Sequence, residues 1–278
     1  MASMMDEVAF IIPVFNQLHY TRNCLGSLNR DGVEDRNIVL VDNGSTDGTR
    51  EFLASRPELK VISNEKNLGC SAAWNQGVEK AASADWKIVI NNDVIVAPGF
   101  RGSLVDFATE TACDIISPAM TEGELDYDFE QFSSEFLGKM AAVRRLGTAS
   151  GVCFMVHRRV FDKIGVFDVK LGQAGYEDED FFRRARAAGF QLAMTGRAYL
   201  HHFGSVTQKK LKSEMGMAGS AHLGNRDYFR EKHGLNWLKR RTERFRERTR
   251  NHLWRRREQR RTGFALHLRR CEGKWVAA

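Results

Sequence analysis

The feature that most constrains this chain is a repeated alternation in its first hundred residues. A short, wholly apolar run is followed by a polar loop and then by a stretch with helical spacing. Residues 8–15 (VAFIIPVF) contain no polar alternation, which marks a strand buried on both faces. Asn16 then reads as the cap of a helix in which Leu18, Leu25 and Leu28 share one stripe. Residues 37–41 predict a second buried strand, followed by the loop Asp42-Asn43-Gly44-Ser45-Thr46-Asp47-Gly48 and a short helix near 49–54. Residues 60–62 predict a third strand, 64–69 another polar loop, 71–82 a helix with Trp74 and Val78 turned inward, and 87–90 a fourth strand. Strand and helix alternating through short connections predict a parallel, doubly wound sheet, and such sheets bind ligands beyond the carboxyl ends of their strands. The segments 13–16, 42–45, 64–69 and 91–93 all fall at those ends, so four polar loops converge on one edge.

The last of these loops is the most demanding. In WKIVINNDVIVAP (residues 86–98), Asn91-Asn92-Asp93 sits between two β-rich apolar runs. A carboxylate buried there without a partner costs several kcal/mol, so Asp93 requires either a capping amide or a cation.

The bulk of the chain sets limits on the rest. Its 278 residues suffice for one large α/β domain with appendages, and 42% hydrophobic with 28% charged residues is an ordinary globular composition. No apolar run approaches the roughly 20 residues of a spanning helix, and residues 1–7 lack a signal-peptide pattern. Five scattered cysteines without CxxC pairing read as reduced thiols and core filler, which fits a cytoplasmic protein. The net charge of +7 is concentrated: residues 226–270 hold 17 Lys/Arg against 5 Asp/Glu, so an acidic-to-neutral body carries a basic tail. Such a tail meets an anionic membrane surface, an acidic partner or a nucleic acid, and no recognised nucleic-acid motif accompanies it.

The motifs IIPVFNQ, VDNGSTDGT, NLGCSAAWNQG and INNDV, in that order, resemble the nucleotide-sugar half of glycosyltransferase family 2. SGVCFMVHRRVFDKIGVFD and YEDEDFFRRARAAGF are similar to its acceptor-side segments, HHFGSVT to its closing motif, and NRDYFREKHG to an ending found in some members. The resemblance covers residues 8–234 and is closest to the rhamnosyl- or glycan-elongating type. It implies a GT-A fold in residues 1–234, with a nucleotide-sugar half (1–118) and an acceptor half (119–234), followed by a basic helical extension (235–278).

The resemblance also implies roles. Transfer from a UDP- or dTDP-sugar requires a held nucleoside, a neutralised diphosphate and a deprotonated acceptor hydroxyl. Pro13 and Phe15 would wall the base pocket, although packing at a strand end explains them as well. Asp42 would accept from ribose or base, although Asn43-Gly44 also suits an Asx turn. Asn67 and Gly69 precede a helix N-terminus, a ready anion site, and Asn75 lies one turn further in, either at the ligand or as a helix-surface amide. Asn91-Asn92-Asp93 stands where the family has DxD, so Asp93 is its only carboxylate. A hard divalent cation, Mn²⁺ or Mg²⁺, would bridge Asp93 and the diphosphate. In the family's ED pattern Asp178 is the candidate general base and Glu177 the runner-up. Asp180 pairs with Arg183 or Arg184 or meets the acceptor, and helix-dipole stabilisation explains part of this acidic turn. A base and a leaving group on opposite faces imply inversion. His201 and His202 end a strand over 192–200; alternation aims only one of them into the site, with His202 preferred, and Ser205 and Thr207 would contact phosphate. Residues 114–147 read as an acceptor-side loop or helix.

Residues 237–261 read as an Arg-rich helix on which Leu238, Phe245 and His252 share heptad spacing. It either packs a thin apolar stripe on the domain or on a second subunit of a homo-oligomer, or docks peripherally on anionic lipid at the inner face of the cell membrane. The acceptor would be a glycan or a lipid-linked saccharide. Two rivals differ in their needs. A sugar nucleotidyltransferase would carry a glycine- and lysine-rich triphosphate loop, which residues 13–17 are not. A catalytically silent nucleotide-sugar-binding or scaffold protein would account for Asn91-Asn92 and the basic tail.

Overall fold

The computed structural model describes residues 8–171, 175–204 and 220–278. Strands β1 (Val8–Val14), β2 (Ile38–Asp42), β3 (Lys60–Ser63) and β4 (Trp86–Ile90) pair in parallel in the order β4-β1-β2-β3. Helices α1 (Leu18–Arg30), α2 (Thr49–Ala54) and α3 (Cys70–Lys80) connect them. The continuous apolar runs have a simple cause. Alternate residues of one strand enter different cores: Phe10, Ile12, Ile38 and Leu40 pack on one face of the sheet, and Ile11, Val39 and Val41 on the other. Helix α1 covers the first face with Cys24, Leu25 and Leu28, and α3 covers the second with Trp74 and Val78.

After β5 (Val94–Val96) and α4 (Phe100–Thr111), the chain forms β6 (Ile115–Gly123), α5 (Phe129–Met140), β7 (Arg144–Leu146) and β8 (Cys153–His157). Helices α6 (Arg158–Ile164) and α7 (Glu177–Ala187) and strand β9 (Leu192–His202) follow. Strand β8 enters the sheet antiparallel between β4 and β6, while β9 lies parallel to β6 and antiparallel to β5 and β7. The segment 114–147, whose form the sequence leaves open, is therefore a strand, a helix and a short strand. Asn16 does not cap α1: its side-chain oxygen accepts from the Thr46 N–H, and Leu18 N–H donates to Asp47.

The C-terminal segment differs from the expected helical extension. It contains α8 (Ser220–Lys232) and the 26-residue α9 (Trp237–Thr262), but then β10 (His267–Cys271) and β11 (Lys274–Ala277), a hairpin within the main sheet. The reason is an open edge. Strand β8 pairs with β6 only at Ile115 and Ile116, and β10 takes the far end, from Met120 to Gly123. A buried pair reinforces the junction: Arg145 on β7 donates twice to Glu258 on α9, at 2.7 Å each, and Glu258 also accepts from Leu266 N–H. Through β10 the segment after residue 234 pairs with β6 of the main sheet. Among the described residues, no helix is long and apolar enough to cross a membrane.

Candidate active site at the carboxyl edge of the sheet

The loops after β1, β2 and β3 are tied to one another. Asp42 ends β2 fully buried, with one oxygen accepting from Ser45 N–H and the other from Arg50 Nε, both at 2.9 Å. In this geometry it holds an Asx-type turn and an ion pair. Asn43 Nδ2 donates to Asn67 Oδ1 and to the Gly69 carbonyl, while Asn43 Oδ1 accepts from Asn64 and Leu68. Asn67 Oδ1 also accepts from Gly69 N–H, and Gly69 reaches the start of α3 at φ +90°, a conformation that favours glycine. Asn67 is thereby a brace for the α3 N-terminus. Pro13 and Phe15 stand half-buried at the end of β1. Asn75 is committed elsewhere: its amide donates to the Phe167 carbonyl and accepts from Phe167 N–H, pinning α3 to the segment before α7.

The three residues 91–93 diverge. Asn92 is buried and donates to Thr21 Oγ1 on α1. Asn91 N–H donates to the Val152 carbonyl across the β4–β8 junction. Asp93, also buried, lies 3.3 Å through Oδ1 from His202 Nε2. The β5–β9 pairing sets this contact, because Val94 stands opposite His202 in register. Alternation sends the neighbouring histidine the other way: His201 Nδ1 meets Tyr127 OH at 2.8 Å, and Tyr127 OH meets Tyr199 OH at 3.2 Å. Burial pushes His201 down to about 4, so it is neutral.

His202 has no aligned hydrogen bond at either ring nitrogen although it is buried. A carboxylate beside an imidazole with open nitrogens suits a divalent cation. Among the described residues no group of three or more His, Cys, Asp or Glu converges on one point. The pair therefore fits a cation that takes its remaining ligands from a diphosphate and water rather than a closed protein cage.

Sequence reasoning did not place Glu122 or His267 here. Glu122 stands opposite His202 across β6 and β9, with His267 of β10 at 3.4 Å. His267, with His202 and Arg269 nearby, holds the Glu122 carboxyl down at about 2. No local pattern signals a pairing between residues so far apart along the chain. Ser205 and Thr207 lie outside the described residues.

The second half of the site is the first turn of α7. Burial and the adjacent Asp178 raise Glu177 to about 7, and Glu177 Oε2 has no hydrogen-bond partner. Burial likewise raises Asp178, opposed by amides that include those of Glu179 and Gly151. Asp180 is structural: it accepts from Arg184, Lys232 and His233 at 2.8 Å each and so fixes α8 to α7.

Short links join the two halves. Asp178 packs against Gly151 so closely that a Cβ there would lie 2.0 Å from its Oδ2. Val152, the next residue, accepts from Asn91. On the other side Cys70, first residue of α3, lies close to Glu177. Acidic groups able to take a proton, a helix N-terminus and a carboxylate–imidazole pair thus meet at the carboxyl edge of one sheet.

The mostly parallel sheet has the GT-A fold. Residues 9–165 match the sequence model described as Glycosyl transferase family 2, and the chain belongs to that family. An uncharacterised protein of Mycobacterium tuberculosis is 27% identical over 204 residues, covering 70% of this chain and 74% of that protein. An N-acetylglucosaminyl-diphospho-decaprenol L-rhamnosyltransferase of the same species is 26% identical over 272 residues, covering 84% and 87%. Two solved structures share the fold. One is GalNAc-T7 with UDP, GalNAc and Mn²⁺, at TM-score 0.58 and 17% identity over 70% of this chain. The other is Staphylococcus aureus TarS 1-349, at TM-score 0.54 and 18% identity over 69%. The chain spans 43% and 59% of these two structures. The chain is thus a glycosyltransferase.

Proposed function

We propose that the chain is an inverting, metal-dependent glycosyltransferase. It moves a hexose or deoxyhexose from a UDP- or dTDP-sugar to a hydroxyl of a glycan or lipid-linked saccharide at the inner face of the cell membrane. The observation that carries this reading is the Asp93–His202 pair, linked through Asn91, Val152 and Gly151 to the turn of Glu177 and Asp178. The 26% identity to a rhamnosyltransferase named for a diphospho-decaprenol substrate supports a deoxyhexose donor and a lipid-linked acceptor.

Asp93 and His202 would hold Mn²⁺ or Mg²⁺, which when bound offsets the charge that builds on the leaving diphosphate. The α3 N-terminus, braced by Asn43 and Asn67, presents backbone N–H groups to the same anion. Pro13, Phe15 and the Asp42 turn line the nucleoside side. Asp178 takes the acceptor proton at a carboxylate oxygen as the hydroxyl attacks the face opposite the leaving group, which inverts the anomeric centre. A second assignment, Glu177 as the base, is favoured by its unpartnered Oε2 and its position near 7.

Hydrolysis of UDP- and dTDP-sugars with Mn²⁺ tests the reading. Turnover should vanish in Asp93→Ala and in Asp178→Asn while folding is kept. Wild-type rates in both variants would overturn it.

A further inference from the structure

Helix α9 carries eleven arginines and one lysine against three glutamates, and the fold sorts them by face. Glu243 pairs inward with Arg183 of α7, and Glu258 pairs inward with Arg145 of β7. The opposite face keeps the arginines and an apolar stripe. Leu238, Phe245 and Leu253 recur at intervals of seven and eight residues and are 61%, 70% and 60% exposed, with Trp237 at 62% on the first turn. Arg241, Arg248 and Arg256, each three residues beyond a member of the stripe, are also exposed. Under the C-terminal half of the helix lies a cleft of about 360 Å³ lined in part by Arg144, Arg257 and Arg261, with the exposed Leu146 in its wall.

Large apolar side chains left in water on a helix pinned to its own domain call for an occupant, and their charge surroundings identify it. Arginines buried along their stems and charged at their tips suit the boundary between anionic headgroups and acyl chains. We infer that the outer face of α9 docks the enzyme on an anionic phospholipid bilayer, with the apolar stripe in the headgroup layer and the arginine cleft around a lipid phosphate. This deepens the reading of a membrane-side acceptor. Because α9 is tied to α7 through Glu243 and Arg183, docking would hold the Glu177–Asp178 turn at a set height above the membrane.

Flotation of the full chain with vesicles tests this, comparing phosphatidylcholine alone with mixtures containing roughly a third phosphatidylglycerol. The full chain should float with the anionic vesicles only, and high salt should release it. The double variants F245S/L253S and R257Q/R261Q should each weaken partition roughly tenfold or more, leaving sugar-nucleotide hydrolysis unchanged. Equal recovery from neutral and anionic vesicles, or wild-type flotation by both variants, would overturn the inference. Absence of flotation would overturn it too, whether the stripe instead joined two copies that F245S/L253S separates, or the arginines bound duplex DNA. The two readings fail separately: a chain that hydrolyses donor but never floats refutes the docking alone, and one that floats without turnover refutes the catalytic reading alone.

Discussion

His202 Nε2 stands 3.3 Å from Asp93 Oδ1, both side chains buried, because the residue after Asp93 faces His202 across β5 and β9. Its neighbour His201 turns to Tyr127. The two histidines therefore predict different phenotypes. His202→Ala should raise the Mn²⁺ concentration needed for turnover roughly tenfold or more, and Asp93→Ala should lower turnover roughly hundredfold or more. His201→Ala should leave the metal requirement in place and reduce stability by about 1–3 kcal/mol, the effect of one lost hydrogen bond to Tyr127 together with a small cavity. Metal titrations and denaturation curves on the three variants separate these outcomes.

The carboxyls of α7 predict a pH dependence whose sign follows from their direction. Burial raises Glu177 from 4.5 in the unfolded chain to about 7 in the folded one. Its proton therefore stabilises the fold fully below about 4.5, and that contribution is lost as pH rises through about 7. Glu177→Gln should then stabilise the protein at pH 8 by up to about 3 kcal/mol and have little effect at acid pH. Urea denaturation at both ends of the range measures it. A gain independent of pH would show that Glu177 does not titrate there.

A base must be ionised, so turnover should rise with pH along a limb set by these two carboxyls. Asp178→Asn should abolish turnover at every pH, whereas Glu177→Gln should shift the limb to lower pH by removing a neighbouring negative charge. The reverse pattern would assign the base to Glu177.

Gly151→Ala isolates positioning from composition. Its new Cβ would meet Asp178 Oδ2 at 2.0 Å, so either the carboxylate or the strand must move. Turnover should fall roughly hundredfold with donor affinity nearly unchanged, because donor contacts lie on other loops. A matched loss of donor affinity, read by thermal shift with UDP or dTDP, would contradict this.

The buried pair of Arg145 and Glu258 predicts an asymmetry. Arg145→Met leaves an uncompensated carboxylate and should cost about 3–5 kcal/mol. Replacing both residues with apolar ones should cost much less, the remainder reflecting the Leu266 N–H left without its acceptor. A double-mutant denaturation cycle checks this.

Much of the first half was readable along the chain. A strand buried on both faces has no choice of pattern, so residues 8–14, 38–41 and 88–90 declare themselves as continuous apolar runs. The polar loops at their ends are equally visible because a parallel sheet must place them on one edge. The C-terminal hairpin was not readable. Strand β10 reads HLRRC, with Leu268 its one buried residue, and what makes it a strand is the open edge of β6, about 150 residues earlier in sequence. For the same reason His267 and Glu122 came to the site unannounced.

The site divides along the same line. Sequence by itself determined the sheet, its polar edge, the single carboxylate Asp93 and the acidic turn beginning at Glu177, because these depend on local pattern and residue type. Tertiary structure alone decided which histidine meets Asp93, that Asn75 ties α3 to Phe167, and that Gly151 bears on Asp178. Those outcomes depend on strand register and helix placement, where a shift of one residue reverses the direction of a side chain and no local pattern records the partner.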